Sequence, residues 1–355
     1  MGRRSSAHPR IKDVAERAAV SIGTVSRVLN DHQDVNTALR ARVQSAIREL
    51  GYRPDARAQS FGRERSRIVG LVLCNGAGVN SVHALLLLGI EEYCAQSGYY
   101  LLFARHQYES DAEAGDLQLP GLMQARGLAD CLIVTGTNYE NFLEALDSID
   151  LTYVTLANHV VLNQPRPPGK NQVRYNDLGG YAEATRYLIQ LGHRHIWYIG
   201  DTSKPWYRNR HDGYVRAMTE SGLEPRGQTI ALADDAVENG HAAVAIIADQ
   251  KLPMTAILAG SDGIAHGVRE GLRQRGREVP HDVSLIGFQH QIEQSRISNL
   301  SSVCVDAVEV GRQLAKTAIT RIESNGKDLP EVIVPTVLVK RGTCRPLRGE
   351  EHMVL

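Results

Sequence analysis

At 355 residues the chain exceeds one ordinary domain, and its length allows roughly two to three. Hydrophobic residues make up 43%, enough to bury a core, yet no apolar run reaches the roughly 18 residues of a membrane span. Basic and acidic residues balance at 40 each, but residues 1–65 hold 13 bases against 7 acids and the remainder 27 against 33, a basic head on an acidic body that fits phosphate binding by the head.

The opening stretch MGRRSSAHPRIKDV is charged with no apolar run behind it, which argues against a secretory signal. Cys74, Cys94, Cys131, Cys304 and Cys344 include no close pair, which argues against a zinc ribbon or a Cys-x-x-Cys redox site. Reduced thiols in a cytoplasmic protein are expected, with Cys74 and Cys131 packed in apolar strands.

Residues 11–30, IKDVAERAAVSIGTVSRVLN, read as two short helices joined by a tight turn. Ile11, Val14, Ala15 and Ala18 recur at helical spacing. Val20 is a buried turn residue, and Ser21 opens the second helix with a hydroxyl suited to capping its free N–H groups. Val25, Val28 and Leu29 face inward. Ile22, Gly23, Ser26 and Arg27 then face out near the N-terminal end, where a recognition helix meets base edges. An ordinary helical hairpin shares this pattern, so the next forty residues matter. A third amphipathic helix follows, capped by Asn36 or Thr37, with Leu39, Val43, Ile47 and Leu50 on one stripe and Gly51 at its end. Tyr52-Arg53-Pro54, a short segment Asp55–Phe61 and the bases Arg63, Arg65 and Arg67 come next.

From Ile68 onward short apolar runs alternate with amphipathic helices. The first series is strand Ile68–Leu73, helix Val82–Gln96, strand Tyr99–Ala104, helix Asp116–Ala125, strand Cys131–Thr135, helix Tyr139–Asp147 and strand Tyr153–Leu156. The stretch 163–170, NQPRPPGK, is a break. The second series is strand Val173–Tyr175, helix Leu178–Leu191, strand His195–Ile199, helix His211–Ser221, strand Thr255–Leu258, helix Ile264–Arg275 and strand Val283–Phe288. Such alternation predicts parallel sheets with helices on both faces, in two units of similar size. Ligands of such sheets bind at the C-terminal ends of the strands, and two facing units make a cleft.

The combination of Ile11-Lys12-Asp13-Val14-Ala15, Val20-Ser21, the run Thr24 to Asn30, Arg40, Arg42-Val43 and Leu50-Gly51-Tyr52-Arg53-Pro54 resembles the lactose-repressor (LacI/GalR) family of bacterial transcription regulators. The resemblance runs from about Ile11 to Thr343. It implies a small all-α helix-turn-helix head plus an α/β periplasmic-binding-protein-like core of two doubly wound subdomains, between which the chain crosses three times. The expected limits are 1–54 for the helix-turn-helix domain, 55–65 for a hinge helix and linker, 66–345 for the core and 346–355 for a loose tail. Within the core, subdomain 1 would take about 66–160 and 304–326, and subdomain 2 about 161–303 and 327–345.

Arg27 is the best candidate for a base contact, because a guanidinium can donate two hydrogen bonds to guanine; read otherwise, it is a solvated surface side chain. Ile22 suits a thymine methyl. Ser21, Thr24, Ser26 and Asn30 suit phosphates, which set register. Ala19 stands where the family commonly has a turn glycine, so the turn is either strained or avoids positive φ. Gly23 offers no side-chain contact. The segment Asp55–Phe61 matches the family's hinge helix, with Ala58 as a small residue of close approach and Phe61 at the position of a minor-groove wedge; packing of Phe61 against the core is the alternative. Asp55 reads as an N-cap after Pro54.

Arg210-His211-Asp212-Gly213-Tyr214 matches the family's Arg-x-x-Gly-Tyr motif, whose arginine binds ligand hydroxyls or carboxylates. Trp206 lies just before it, either as a sugar-stacking face or as packing. Ser261-Asp262 matches an Asn-Asp pair, with Asp262 expected to cap the next helix. Gln289 replaces a ligand-gripping aspartate, and Asn80, Val82 and His83 match an Asn-Pro-Phe-Phe region whose two phenylalanines are lost. The expected effector-binding set is therefore Asn80, His83, Trp206, Arg210, Ser261, Asp262 and Gln289. An unusual sugar, a glycoside and a uronate all remain open. His83, His106 and His290 read as hydrogen-bonding side chains, since no spacing groups them as metal ligands, and neither a metal nor a cofactor is expected.

The leading expectation is a homodimeric regulator, most simply a repressor, on a pseudo-palindromic operator in double-stranded DNA, released or tightened by a sugar-like effector. A sugar-binding transport protein of the periplasmic-binding class is the second reading. A doubly wound enzyme is the third: Asn75-Gly76-Ala77-Gly78 lacks the third glycine of a phosphate loop, and no Ser/His/Asp or Cys/His arrangement is evident.

Overall fold

The computed structural model describes residues 9–29, 34–52, 65–76, 81–125, 127–149, 151–162, 169–228, 236–291 and 299–347. They form two compact units, 1–66 and 67–355. The expected contact residues Asn30, Ala58, Phe61 and Asn80, and Asp55, lie outside the described residues.

The head is three helices, α1 (Ile11–Ala18), α2 (Ile22–Leu29) and α3 (Thr37–Leu50). Their apolar stripes meet in a small core of Val14, Ala15, Ala18, Val25, Val28, Val43 and Ala46, with Val20 and Tyr52 packed on it. Asn36, not Thr37, caps α3: its side-chain oxygen accepts from the Ala38 N–H at 2.8 Å. Gly51 ends the helix in the left-handed region at φ 61°. Ala19 adopts that region too, at φ 50° and ψ 53°, so the turn into α2 is of the strained kind.

The core holds two six-stranded sheets. Sheet 1 contains β1 (Ile68–Cys74), β2 (Tyr100–His106), β3 (Cys131–Gly136), β4 (Tyr153–Leu156) and β5 (Gln172–Tyr175). Sheet 2 contains β6 (Ile196–Ile199), β7 (Arg226–Gln228), β8 (Ala256–Ala259), β9 (Ser284–Gln289) and β10 (Ser301–Cys304). Two late strands complete them, β11 (Val332–Val334) in sheet 1 and β12 (Val337–Val339) in sheet 2. The orders are β11-β5-β4-β3-β1-β2 and β12-β10-β9-β8-β6-β7. Every pairing is parallel except β10 with β12.

Helices cover both faces of each sheet. α4 (Ser81–Gln96) and α10 (Ala307–Glu323) share one apolar core with sheet 1, α6 (Asp177–Gln190) and α7 (Pro205–Glu220), and that core runs on into sheet 2 through Tyr198, Leu258, Ile286 and Val303. α5 (Glu140–Ser148) covers the other face of sheet 1 with Phe142, Leu143 and Leu146. α8 (Ala236–Asp249) and α9 (Asp262–Gln274) cover the other face of sheet 2. Cys74 and Cys131 are fully buried in strands as expected, and burial pushes the Cys131 thiol up to about 12. Among the described residues no helix is long and apolar enough to cross a membrane.

Four expectations are corrected. Gln172–Tyr175 pairs in sheet 1, and so does Val332–Val334. The subdomain limits at 160/161 and 326/327 therefore both move: the chain passes its proline-rich stretch and still returns to the first sheet. The crossings fall instead at Tyr175–Asp177, between Cys304 and Ala307, and at Val334–Val337. The helix expected over Asp116–Ala125 is only a 3-10 turn at Ala114–Asp116 and one α-turn at Gly121–Gln124, interrupted at Pro120, whose ring removes a donor. α7 begins at Pro205, six residues before His211, because proline at the first helical position loses no intrahelical bond. The tail holds on past 345, where the Leu347 N–H donates to the Leu191 carbonyl at 2.8 Å.

Candidate functional site

On the head, α2 presents one exposed face. Ile22 is 48% exposed, Gly23 and Arg27 are exposed, and Thr24 and Ser26 are half-buried. Ser21 Oγ accepts from the Thr24 N–H at 3.0 Å and lies 2.9 Å from Thr24 Oγ1. The hydroxyl thus satisfies a free donor at the helix start while staying at the surface. Arg27 Nη1 lies 3.5 Å from Asp34 Oδ2, with both side chains largely in solvent. Such a pair contributes about 0–1 kcal/mol, so the guanidinium exchanges partners at little cost.

In the core, side chains from both sheets converge beyond the carboxyl ends of the strands, where open α/β sheets bind ligands. His159 follows β4, Tyr175 ends β5, Phe288 and Gln289 end β9, and His290 follows it. Trp206, Tyr207 and Arg210 come from the first turns of α7, after β6. Arg210 is only 2% exposed. Its Nη1 donates to the Gly260 carbonyl at 2.5 Å, its Nη2 to the Tyr175 hydroxyl at 3.4 Å, and its guanidinium lies 3.5 Å over the Phe288 ring. Asp177 Oδ2 sits 3.7 Å from Nε in a buried ion pair. Burial pushes the Asp177 carboxyl up to about 6, against the opposing pull of Arg210, Asn158 and the Leu178 N–H.

Aromatic rings frame this group. His159 packs on Trp206 with centroids 5.0 Å apart, and His290 packs on Phe288 at 5.0 Å. Tyr175 meets both imidazoles edge-on at 6.4 Å. Its hydroxyl lies 3.2 Å from His159 Nε2. Arginine can only donate, so the Tyr175 oxygen accepts from Arg210. Burial, with His83 and Arg210 close by, drives the His159 imidazole down to about 3 and His290 well below its usual range.

The head, residues 10–55, matches the model of bacterial regulatory proteins of the lacI family, and residues 185–344 match that of the periplasmic binding protein-like domain. The chain is 32% identical over 333 residues to the HTH-type transcriptional repressor PurR of Glaesserella parasuis, covering 92% of this chain and 94% of that protein. It is 30% identical to the ribose operon repressor of Escherichia coli, over 94% and 99% of the two chains. The chain belongs to the lacI family. Among solved structures, this lacI-family regulator is similar to a lac repressor dimer bound to operator and an anti-inducer, with TM-score 0.76 and 20% identity over 96% and 100% of the two chains. It is also similar to the regulator CelR in complex with cellobiose, with TM-score 0.66 and 26% identity over 94% and 99%.

Within this lacI-family framework the expected effector residues separate. Trp206, Arg210 and Gln289 lie in the cleft group, and Gln289 is 8% exposed. His83, on the first turn of α4, acts electrostatically on both His159 and His290. It also lines a slot of about 40 Å³ with Leu71, Leu73, Leu86, Leu87, Phe103 and Thr135. Ser261, not Asp262, caps α9: its Oγ accepts from the Ile264 N–H at 3.2 Å, while Asp262 is exposed and bonds the Gly263 N–H. His106 lies outside the cleft, packed against Tyr108 and Phe142, which also stack on each other, with Nε2 unpartnered among the described residues; the apolar core has absorbed it. Sequence reasoning missed His159, Tyr175, Asp177 and Phe288 as cleft residues. The strand-end rule reaches all four, since each lies at or within three residues of a strand's carboxyl end.

Proposed function

We propose that this lacI-family regulator is an effector-responsive repressor that binds a pseudo-palindromic operator as a homodimer and takes a carbohydrate effector into the cleft. It binds its ligand without turning it over. The carrying observation is that the cleft wall is built from both sheets: His159 and Tyr175 come from sheet 1, and Arg210, Phe288 and His290 from sheet 2. A ligand touching both walls favours one relative orientation of the sheets over another. That difference is the free energy a switch requires, typically about 1–3 kcal/mol. Trp206 and Phe288 supply faces for sugar C–H groups, and the imidazoles and guanidinium supply partners for hydroxyls. Related proteins carry the names ribose operon repressor and CelR–cellobiose complex, which supports the carbohydrate reading.

One head reads few base pairs, and two related by a dyad read a palindrome. The core supports pairing with a second copy at the edge strand β2 and at α4. Tyr100 is 75% exposed there, accompanied by Leu88, Leu102 and Phe103, an apolar edge of the kind that pairs or is covered. Within the head, Ile22 and Arg27 are assigned to bases and Ser21, Thr24 and Ser26 to phosphates, with Gly23 a point of close approach that offers no side chain.

The test is capture of fragmented genomic DNA by the full-length protein at fixed salt, followed by sequencing. A few sites sharing one pseudo-palindrome, released by one sugar of a panel, are expected. Uniform recovery, with and without every sugar of the panel, would sink the reading.

A further inference from the structure

Two imidazoles and one guanidinium share the cleft, and a third imidazole, His83, lies within electrostatic reach of both. His83 comes from α4, His159 from the turn after β4, His290 from the turn after β9, and Arg210 from α7. His159 and His290 stand on either side of Tyr175, each with its ring edge-on to the phenol at 6.4 Å. Acid groups are scarce by comparison. Asp177, from α6, is committed to Arg210 and accepts from Asn158 Nδ2 at 3.2 Å and the Leu178 N–H at 3.1 Å. Asp262, at the start of α9, is exposed. Gln289 is neutral, and Tyr175, Tyr181 and Tyr198 are phenols kept neutral by burial.

Neutral imidazoles serve sugar hydroxyls, yet each can also take a proton, and among the described cleft residues named here the one buried carboxylate is already paired with Arg210. Desolvated imidazoles beside an arginine stay uncharged in the free protein, and an anion placed among them reverses that preference. We propose, building on the effector reading, that the cleft takes a carbohydrate bearing an acidic group, seated among His159, His290 and Arg210. Arg210 keeps its bonds to Gly260 and Tyr175 and offers its field, while each imidazole offers an N–H. As the acid group arrives, a proton from solvent moves onto imidazole nitrogen. The protonated His159 then donates from both ring nitrogens, from Nε2 to the Tyr175 oxygen 3.2 Å away and from Nδ1 to the acid group. Binding therefore takes up protons, and affinity rises as pH falls.

Calorimetric titration of the full-length protein tests this with matched pairs: galacturonate with galactose, glucuronate with glucose, gluconate with sorbitol, and glucose 6-phosphate with glucose. Each is run at pH 6, 7 and 8 in two buffers of different ionisation enthalpy. At least one acid is expected to bind 10-fold or more tightly than its neutral partner. Proton uptake should accompany binding, with affinity gaining up to about tenfold per pH unit on acidification for each proton taken up. The carboxylate and phosphate arms tell the two sources of negative charge apart. In the H159Q/H290N variant, checked for an unchanged fold by its melting temperature and near-ultraviolet dichroism, both the preference and the uptake should disappear. If the variant loses its fold, the single variant H159Q takes its place, with uptake expected to fall by half or more. Uptake that survives unchanged assigns the proton to another group, His83 or Asp177, and overturns the proposal. Binding of neutral sugars alone overturns it while leaving the effector reading intact. Binding of no acid overturns it too, and operator capture then decides the regulator reading separately.

Discussion

The Arg42 guanidinium reaches from α3 to the carbonyls of Ala18 and Ala19, at 2.6 and 3.1 Å, and so fastens the turn that delivers α2. Those are the last carbonyls of α1, which have no partner within the helix. The fastening holds a turn that is unfavourable in itself, since Ala19 sits at φ 50° with a Cβ. Ala19→Gly should stabilise the head by about 1 kcal/mol, and Arg42→Ala should weaken it by about the same amount. Hydrogen exchange of the α1–α3 amides in the full-length protein measures both.

Arg27 exchanges an exposed partner for DNA. Arg27→Ala should cost about 1–3 kcal/mol at one base pair of each half-site and relax the preference there. Asp34→Asn frees the guanidinium and removes a negative charge near phosphates, so it should tighten binding to all sequences alike. Competition between operator variants at fixed salt separates the two effects; loss of affinity without loss of preference in Arg27→Ala would move that side chain to the phosphates.

Arg210 and Asp177 form a buried pair, so removing one partner strands the other. Arg210→Met should lower core stability by about 3–5 kcal/mol, seen in urea unfolding, before any effect on ligand is considered. Arg210→Lys should rescue little, because an ammonium cannot reach Gly260, Tyr175 and Asp177 while lying flat on Phe288.

Acid should weaken the core. Burial holds His106, His159, His193 and His290 below the usual histidine value of 6.5. As pH falls below about 6.5 the unfolded chain takes protons that these folded imidazoles refuse, and stability drops. Asp177 acts the other way: its folded value of about 6 exceeds 3.8, so its contribution is present below 3.8 and lost as pH rises through 6. Four imidazoles outweigh one carboxyl, and the melting temperature should fall between pH 7 and pH 5. His159→Gln should flatten that slope; an unchanged slope would remove His159 from the account.

Much of this architecture was legible because its signals are local. The head follows from helical spacing, one cap and one terminal glycine. The alternating body follows from strands such as Ile68–Cys74 and Cys131–Gly136, buried on both faces and therefore apolar throughout. Arg226–Gln228, three residues with no apolar side chain, and Val332–Val334, an edge strand followed by no helix pattern, give no such signal. Sheet membership was illegible for another reason: Val332–Val334 pairs with Val173–Tyr175 across about 160 residues, and nothing local announces such a partner.

The cleft shows the same division. Arg210 and Gln289 stood out by motif, whereas His159 and Tyr175 acquire their role only by meeting Arg210 and His290 in space. Asp262 was mistaken for the helix cap because Asp and Ser are equally good caps; the choice fell to Ser261, whose extended backbone, at φ −151° and ψ 170°, has the geometry of the preceding position.

The threading of the core also orders its birth. Sheet 1 acquires its edge strand from Val332–Val334, while α1–α3 are complete some 280 residues earlier. Domains fold as units during synthesis, so on a nascent chain the DNA-reading head is finished long before the effector-binding core can close.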